Sequence, residues 1–167
     1  AIVVTAVKLI ASDSAFLMRC DGNTFSVVAW ATPDGLMPDM GLGAMPVDPA
    51  ANFPSRVIVE KKLLHLPDWA AIELPEHERN IRDNFGVNAG LYLPLLRDGE
   101  CVGLLTFGKN RVGAFTDREI ALAESFRDQA VIAIENVRLF NETKEALEQQ
   151  TATAEVLEVI SASVADT

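Results

Sequence analysis

Histidine and cysteine, the residues with the most versatile side-chain chemistry, are few and scattered in this chain. The two histidines are His65 and His77, and the two cysteines are Cys20 and Cys101. No Ser/His/Asp or Cys/His arrangement is recognisable, and cysteines this far apart form neither a disulfide framework nor a metal knuckle. The sequence therefore predicts no catalytic site and no metal site. A small redox enzyme that uses Cys20 or Cys101 stays an alternative, although cysteines on apolar strands should have raised pKa values and react slowly.

Two acidic clusters also have ordinary explanations. Glu76 and Glu78 flank His77 and would favour its protonated form, but three adjacent residues rarely converge on one metal ion. Asp117 and Glu119 look like paired carboxylates, yet residues 116–119 (TDRE) fit a capping box. In such a box Thr116 caps the helix and the carboxylate of Glu119 reaches back to the cap.

A binding site is a better prediction than a catalytic one. Arg56 and Asp68 are the polar residues that we expect to point toward one cavity. Arg56 is the first basic residue of its predicted helix, so its ligand would offer an anionic or carbonyl group. The alternative is that both residues make an ordinary salt bridge or a turn cap. The aromatic residues that could line the cavity are Trp30, Trp69, Phe85 and Tyr92.

Short strands and turns must position these residues. Residues 15–20, 24–30, 63–66, 91–96 and 101–108 are apolar or β-branched and of strand length. Asn52 can cap a short helix over 53–61, a second short helix is expected within 69–84, and residues 31–50 form a long loop. Residues 1–10 fit either a strand or a helix. This order predicts an α+β domain with an antiparallel sheet.

The C-terminal part differs from this body. Every glycine and proline lies at or before Gly113, and residues 117–167 carry 11 acidic and 4 basic side chains. We predict one long helix, which is apolar on more than one face near residues 126–140 and therefore needs a partner. A parallel homodimer is the simplest partner; a solvent-exposed terminal helix is the alternative. The predicted interface residues are Phe126, Ala130, Val131, Ile132, Ala133, Val137 and Phe140.

Composition excludes several classes of protein. With 167 residues, 49% of them hydrophobic, the chain can form a packed core. A net charge of −10 argues against nucleic-acid or anionic-membrane partners, because phosphates would be repelled. No apolar stretch is long enough to cross a membrane, and residues 1–10 lack the charged start and the cleavage site that a signal peptide has. We expect a reduced, cytoplasmic setting and, since the chain does not begin with Met, a piece of a longer polypeptide.

Three stretches resemble the GAF domain family. Residues 63–68 (LLHLPD) resemble the end of one of its strands, and residues 93–105 (LPLLRDGECVGLL) resemble its hairpin. Residues 115–119 (FTDRE) together with 126–140 (FRDQAVIAIENVRLF) resemble its closing helix. The resemblance covers about residues 1–140. Residues 141–167 form a second part, in which 147–157 are similar to coiled-coil connectors of multidomain bacterial sensors, often histidine kinases or nucleotide cyclases.

The resemblance implies a particular architecture. GAF domains have a six-stranded antiparallel sheet with the terminal helices on one face and a ligand pocket, under helices and loops, on the other. Residues 1–10 would then be helical, and Arg56, Asp68, Trp69 and residues 70–90 would surround the pocket. Members that bind bilins attach them to a pocket cysteine, whereas both cysteines here lie on predicted strands, which argues against a covalent bilin.

The resemblance also implies a function. We expect a sensory or regulatory domain that has no activity of its own and passes a signal through a dimeric helix. The receiver would be an output domain of the same chain, such as a histidine kinase. The ligand and any cofactor stay unknown. The alternative is a dimerisation and connector module that binds no ligand.

Overall fold

The computed structural model describes residues 2–166, which form four α-helices and seven β-strands. Their order is α1 (Ile2–Leu9), β1 (Ser14–Asp21), β2 (Thr24–Thr32), β3 (Gly35–Leu36), β4 (Met45–Pro46), α2 (Phe53–Glu60), β5 (Leu64–Leu66), a 3₁₀ turn (Trp69–Ala71), α3 (Glu76–Phe85), β6 (Ala89–Arg97), β7 (Glu100–Lys109) and α4 (Asp117–Ala165).

The strands form one antiparallel sheet in the order β3-β2-β1-β7-β6-β5, and β4 pairs with β2. The predicted α+β class is therefore confirmed, with six strands along the main path and the short β4 as an addition. The turn between β6 and β7 consists of Asp98 and Gly99, both at positive φ, as this type of tight hairpin requires.

The residues of β1 alternate between the two faces of the sheet. Met18 belongs to an apolar cluster with Phe53 of α2 and Trp69 of the 3₁₀ turn. Its neighbour Leu17 is also buried, on the opposite face, where it is paired with Leu105 of β7. The sheet therefore buries both faces, and the face of Met18 is the one that α2 covers.

Residues 2–9 are helical, as the family resemblance implies, although β-branched residues favour a strand there. Val3, Ala6, Val7 and Ile10 all have 0% exposure. Their spacing places them on one side of a helix, which packs against β1 and β2, whereas a strand would point Val3 and Ala6 to opposite faces. Burial of one face therefore outweighs the local propensity. Ala1 lies outside the described residues.

Both predicted helix caps form, but one of them differs from the prediction. The side chain of Asn52 accepts a hydrogen bond from the Ser55 N–H at 2.8 Å, and Oγ1 of Thr116 accepts one from the Glu119 N–H at 3.1 Å. The carboxylate of Glu119 does not reach back to the cap; it accepts a hydrogen bond from Nζ of Lys109 at 2.9 Å. Because the Lys109 side chain is only 4% exposed, its ammonium group needs a buried counter-charge.

The chain consists of two compact units, residues 1–132 and 133–167. The first unit contains the sheet, α1 to α3 and the beginning of α4; the second unit is the remainder of α4 and the chain terminus. The functional boundary that we expect after residue 140 stays a prediction. No helix among residues 2–166 combines the length and the apolar character needed to cross a membrane.

Candidate ligand-binding site

A cavity of about 550 Å³ lies in the first unit, on the face of the sheet that carries Met18. Strands β1, β2, β6 and β7 contribute to its wall together with α3 and the loop between β3 and β4. The side chains in the wall include Phe16, Met18, Val27, Trp30, Met40, Leu42, Met45, Trp69, His77, Glu78, Ile81, Phe85, Tyr92 and Thr106.

Aromatic side chains form much of the wall. The rings of Phe16 and Trp30 are stacked, with their centroids 5.4 Å apart and an angle of 4° between the planes. Trp69 and Tyr92 each contact Phe53 edge to face, at 6.0 Å and 6.1 Å. The indole N–H of Trp30 donates to the carbonyl of Pro38 at 2.8 Å and so ties the loop after β3 to the wall. The four aromatic residues that we predict around the cavity all line it; their role in ligand binding stays a prediction.

Arg56 and Asp68 do not line the cavity, so the expectation that they point into it together is wrong. Nε of Arg56 donates to the carbonyl of Pro49 at 3.1 Å, and the guanidinium group lies 5.0 Å from the centre of the Phe53 ring. Oδ1 of Asp68 accepts a hydrogen bond from the Ala70 N–H at 2.9 Å and caps the 3₁₀ turn. Nearby backbone groups therefore hold both side chains, and a contact with ligand stays a prediction for them.

Glu78 is the polar residue that the sequence analysis missed. Its side chain is on α3 and only 1% exposed. Oε1 accepts a hydrogen bond from the Phe53 N–H at 2.7 Å, while Oε2 has no hydrogen-bond partner among residues 2–166. Burial raises the pKa of Glu78 to about 7, against the opposing effects of the Phe53 N–H and the charge of Arg56. Near neutral pH the carboxyl group is therefore about half ionised.

A second buried polar atom in the wall is also unpaired. Trp69 is 2% exposed, and its indole N–H makes no hydrogen bond to any residue that the structure describes. Burial lowers the pKa of the neighbouring His77, so this histidine is neutral at pH 7 and the expected protonated form is wrong. Burial and the charge of Glu78 raise the pKa of Tyr92. The cavity thus combines an apolar wall with one unpaired acceptor and one unpaired donor.

A weak sequence signal for Glu78 does exist. Glu78, Ile81 and Phe85 follow one another at helical spacings of three and four, which places them on one face of α3. All three line the cavity. Because Ile81 and Phe85 are apolar, this face could be recognised as inward-facing once α3 is assumed. The polar composition of residues 75–84 conceals it.

The cysteines lie outside the cavity wall, and among residues 2–166 no cluster of three or more potential metal ligands is found. The thiols of Cys20 and Cys101 are half-buried and hydrogen-bonded to each other. This hydrogen bond raises the pKa of Cys20 and lowers that of Cys101. The expectation of two raised pKa values is therefore wrong for Cys101, because the hydrogen bond from Cys20 stabilises its thiolate form.

The residues predicted to form a dimer interface differ in exposure. Phe126 and Ala130 are buried within the single chain at 8% and 0% exposure, whereas Ile132 is 61% and Phe140 is 69% exposed. The three others, Val131, Ala133 and Val137, are half-buried. The exposed members are therefore the ones with apolar surface left for a partner, and the interface itself stays a prediction.

Comparison with known proteins identifies the family. The GAF domain family model matches residues 1–134, and the chain belongs to this family. A comparison with curated proteins returns no match. Among solved structures, the chain is similar to the GAF domain of a two-component sensor histidine kinase from Bacillus halodurans (14% identity, 84% of this chain and 95% of that chain, TM-score 0.65).

Two further solved structures are similar to the chain in fold. One is the GAF domain of a phosphoenolpyruvate-protein phosphotransferase from Coxiella burnetii (16% identity, 84% of this chain and 82% of that chain, TM-score 0.68). The other is a type II free methionine-R-sulfoxide reductase from Thermoplasma acidophilum (10% identity, 80% of this chain and 89% of that chain, TM-score 0.62). At these identities the likeness shows a shared fold alone.

Proposed function

We propose that this chain is a small-molecule-sensing domain that regulates a downstream output domain through α4. The cavity of about 550 Å³ carries the proposal. Protein interiors are close-packed and rarely leave voids larger than a water molecule, whereas ligand pockets typically measure about 300–1,000 Å³. The apolar wall with a few buried polar groups is also the composition that small-molecule sites have.

The mouth of the cavity supports the proposal. Phe85 at the end of α3 is 56% exposed, and Leu42 of the loop between β3 and β4 is 49% exposed. Both line the cavity, so a ligand would cover apolar surface that now faces water. Met40 in the same loop and Met45, the first residue of β4, have flexible side chains that adapt to different ligand shapes. The loop and α3 are therefore the elements that would close over a bound molecule.

A continuous set of contacts connects the cavity with α4. Thr106 of β7 lines the cavity, and Lys109 ends the same strand. Lys109 pairs with Glu119 in the first turn of α4 and lies 4.3 Å from the centre of the Phe115 ring. A ligand that shifts β7 would bias the start of α4 through this pair, which is the coupling that a sensor needs.

The proposal includes a parallel homodimer formed by α4. Beyond residue 138 the helix exposes large apolar side chains at positions that include Phe140, Leu147 and Leu157. Phe140 and Leu147 are seven residues apart, which is the spacing of coiled coils. The output domain would follow in the same polypeptide, with a histidine kinase as the leading candidate, and we place the protein in the cytoplasm.

Two alternatives belong to other classes. A connector module that binds no ligand would leave the cavity without a role. The second alternative is a cysteine-based redox enzyme, since the chain is similar in fold to the reductase named above. However, neither Cys20 nor Cys101 lines the cavity. This separation of the thiols from the cavity favours the sensory function over the enzymatic one.

Native mass spectrometry tests the proposal on chain purified without denaturation. We expect wild-type protein to retain a small molecule, and Val27→Phe, which projects a larger side chain into the cavity from β2, to lose it. Val28→Phe is the matched control, since Val28 is 39% exposed and does not line the cavity. Retention of the molecule in both variants would show that it binds elsewhere, and its loss in both would show that the loss in Val27→Phe is not specific to the cavity. No binding by wild-type chain, alone or with added metabolites, would favour the connector module.

A further inference from the structure

We propose that the ligand of this cavity is a hydrophobic molecule without negative charge that presents an N–H or O–H donor to the carboxylate of Glu78. The inference rests on the proposed sensory function and names the chemistry of its ligand. It replaces the anionic ligand that Arg56 suggested at the level of sequence.

The charges of the wall exclude anions. Of the described residues that line the cavity, Asp13 and Glu78 are acidic and none is a lysine or an arginine. Arg56, the cation that interacts with Glu78, is held by the carbonyl of Pro49 outside the wall. An anionic ligand would therefore lose its hydrating water in an apolar space beside a carboxylate. No cation among the described residues of the wall would compensate the ligand for that loss.

The unpaired acceptor defines what the ligand must offer. Oε1 of Glu78 already has the Phe53 N–H at 2.7 Å, so the remaining capacity of the carboxylate is at Oε2. A buried acceptor without a partner is costly, and a ligand donor would remove that cost. The indole N–H of Trp69 offers the complementary donor to a ligand acceptor.

The rest of the wall defines the body of the ligand. The stacked pair of Phe16 and Trp30 presents a flat aromatic surface, and Met18, Met40 and Met45 add flexible apolar groups to the same wall. A planar ring system fits such a surface better than a sugar or a peptide, whose many polar groups would stay unpaired. A cationic donor would also be attracted by the aromatic faces.

Four probes with the same ring system separate these requirements. They are 2-naphthylmethylamine as cationic donor, 2-naphthylmethanol as neutral donor, 2-methylnaphthalene without a donor, and 2-naphthoate as anion. Binding to the wild-type chain is measured by NMR titration of the Trp30 and Trp69 indole N–H resonances. We expect the amine to bind about 10-fold tighter than methylnaphthalene or better, the alcohol to lie between them, and naphthoate to bind most weakly.

A substitution of Glu78 and a pH series test whether the preference for the amine probe depends on the Glu78 carboxylate. In Glu78→Gln the advantage of the amine over methylnaphthalene should fall several-fold, while Glu76→Gln, an exposed position of the same helix turn, should keep it. Amine affinity in wild-type chain should rise between pH 6 and pH 8 as Glu78 ionises. The other groups near this carboxyl are Arg56 of α2, Tyr92 of β6 and the neutral His77.

The results distinguish the ligand class from the proposed function. Equal affinity for all four probes, tightest binding of naphthoate, or an unchanged preference in Glu78→Gln overturns the ligand class and leaves a cavity that binds small molecules. If no probe shifts either indole resonance, the ligand class is overturned as well. The sensory function itself falls only if native mass spectrometry and added metabolites also show no binding.

Discussion

At the scale of single residues, burial determines the chemistry of this protein more than residue type does. Glu78 and Glu76 are two positions apart, but Glu78 is 1% exposed and its pKa is about 7, whereas Glu76 is exposed to solvent. The hydrogen bond that fixes Glu78 comes from Phe53, 25 residues away. No local sequence pattern encodes such a long-range contact. The sequence therefore does not predict Glu78 in the cavity wall, although it predicts the aromatic lining residues. Arg56 was misassigned for the same reason, since its partner is a backbone carbonyl.

Glu78 should make stability depend on pH. Its pKa in the folded state is about 7, above the ordinary value of 4.5 for a glutamate, so the folded chain binds more protons between these values. Stability should therefore fall as pH rises from 4.5 to 7, by roughly 1–3 kcal/mol, and the slope should be smaller in Glu78→Gln. Urea denaturation at several pH values measures this, with Glu76→Gln as control. Equal slopes in wild type and Glu78→Gln would contradict the assignment.

The two cysteines should differ in reactivity. The hydrogen bond from Cys20 lowers the pKa of Cys101, and the thiolate is the reactive form. Iodoacetamide at pH 7.5 should therefore modify Cys101 before Cys20, as read by peptide mass spectrometry. Cys20→Ala removes the donor and should slow labelling of Cys101 several-fold, whereas Cys20→Ser keeps a donor and should slow it less. Labelling of Cys20 first would refute this interpretation.

At the scale of elements, the sequence predicts what depends on short-range patterns. The strands, the hairpin turn at Asp98 and Gly99, the Asn52 cap and the long C-terminal helix follow from composition, spacing and turn residues. The helix at residues 2–9 does not follow from such patterns, because its β-branched residues favour a strand. Its packing against β1 and β2 determines that it is helical. The pair of Lys109 and Glu119 also does not follow from the sequence, because residues 116–119 fit a capping box that assigns another partner to Glu119.

The Lys109–Glu119 pair should stabilise the junction of β7 and α4. Both side chains are largely buried, so Lys109→Met or Glu119→Leu alone should cost about 2–4 kcal/mol by leaving one charge unpaired. The double variant should cost clearly less than the sum, with a coupling energy above about 1 kcal/mol. A double-mutant cycle by chemical denaturation measures it. The exposed Lys61–Glu100 pair at 3.6 Å is the control and should couple by less than about 0.5 kcal/mol. Additive effects at Lys109 and Glu119 would refute the structural role.

At the scale of the whole molecule, family membership could be predicted from sequence, but the content of the cavity could not. The motifs at residues 63–68, 93–105 and 115–140 suffice for the family, and the family model matches residues 1–134. The acidic residues of the cavity wall, Asp13 and Glu78, lie far apart in the sequence, so only the folded chain reveals them together. Oligomeric state is the other property that a single chain leaves open.

Ile132 is the best position to test the proposed dimer. It is 61% exposed within the chain, and a charge there would be buried unpaired in a helix–helix interface. Wild-type protein should sediment as a dimer and Ile132→Glu as a monomer, while Gln129→Glu, at an exposed polar position, should stay dimeric. A wild-type chain that remains monomeric at high concentration would rule out the dimer.

Hydrogen–deuterium exchange of residues 69–90 is the most direct test of ligand sensing, because this segment contains α3 and contributes Trp69 and Glu78 to the cavity wall. The measurement compares the chain alone with the chain plus each member of a metabolite panel. At least one metabolite should slow exchange in residues 69–90 of wild type and Val28→Phe, and have no effect on Val27→Phe, whose larger side chain obstructs the cavity. Exchange in this segment that no metabolite changes, or that changes equally in Val27→Phe, would contradict the sensory function.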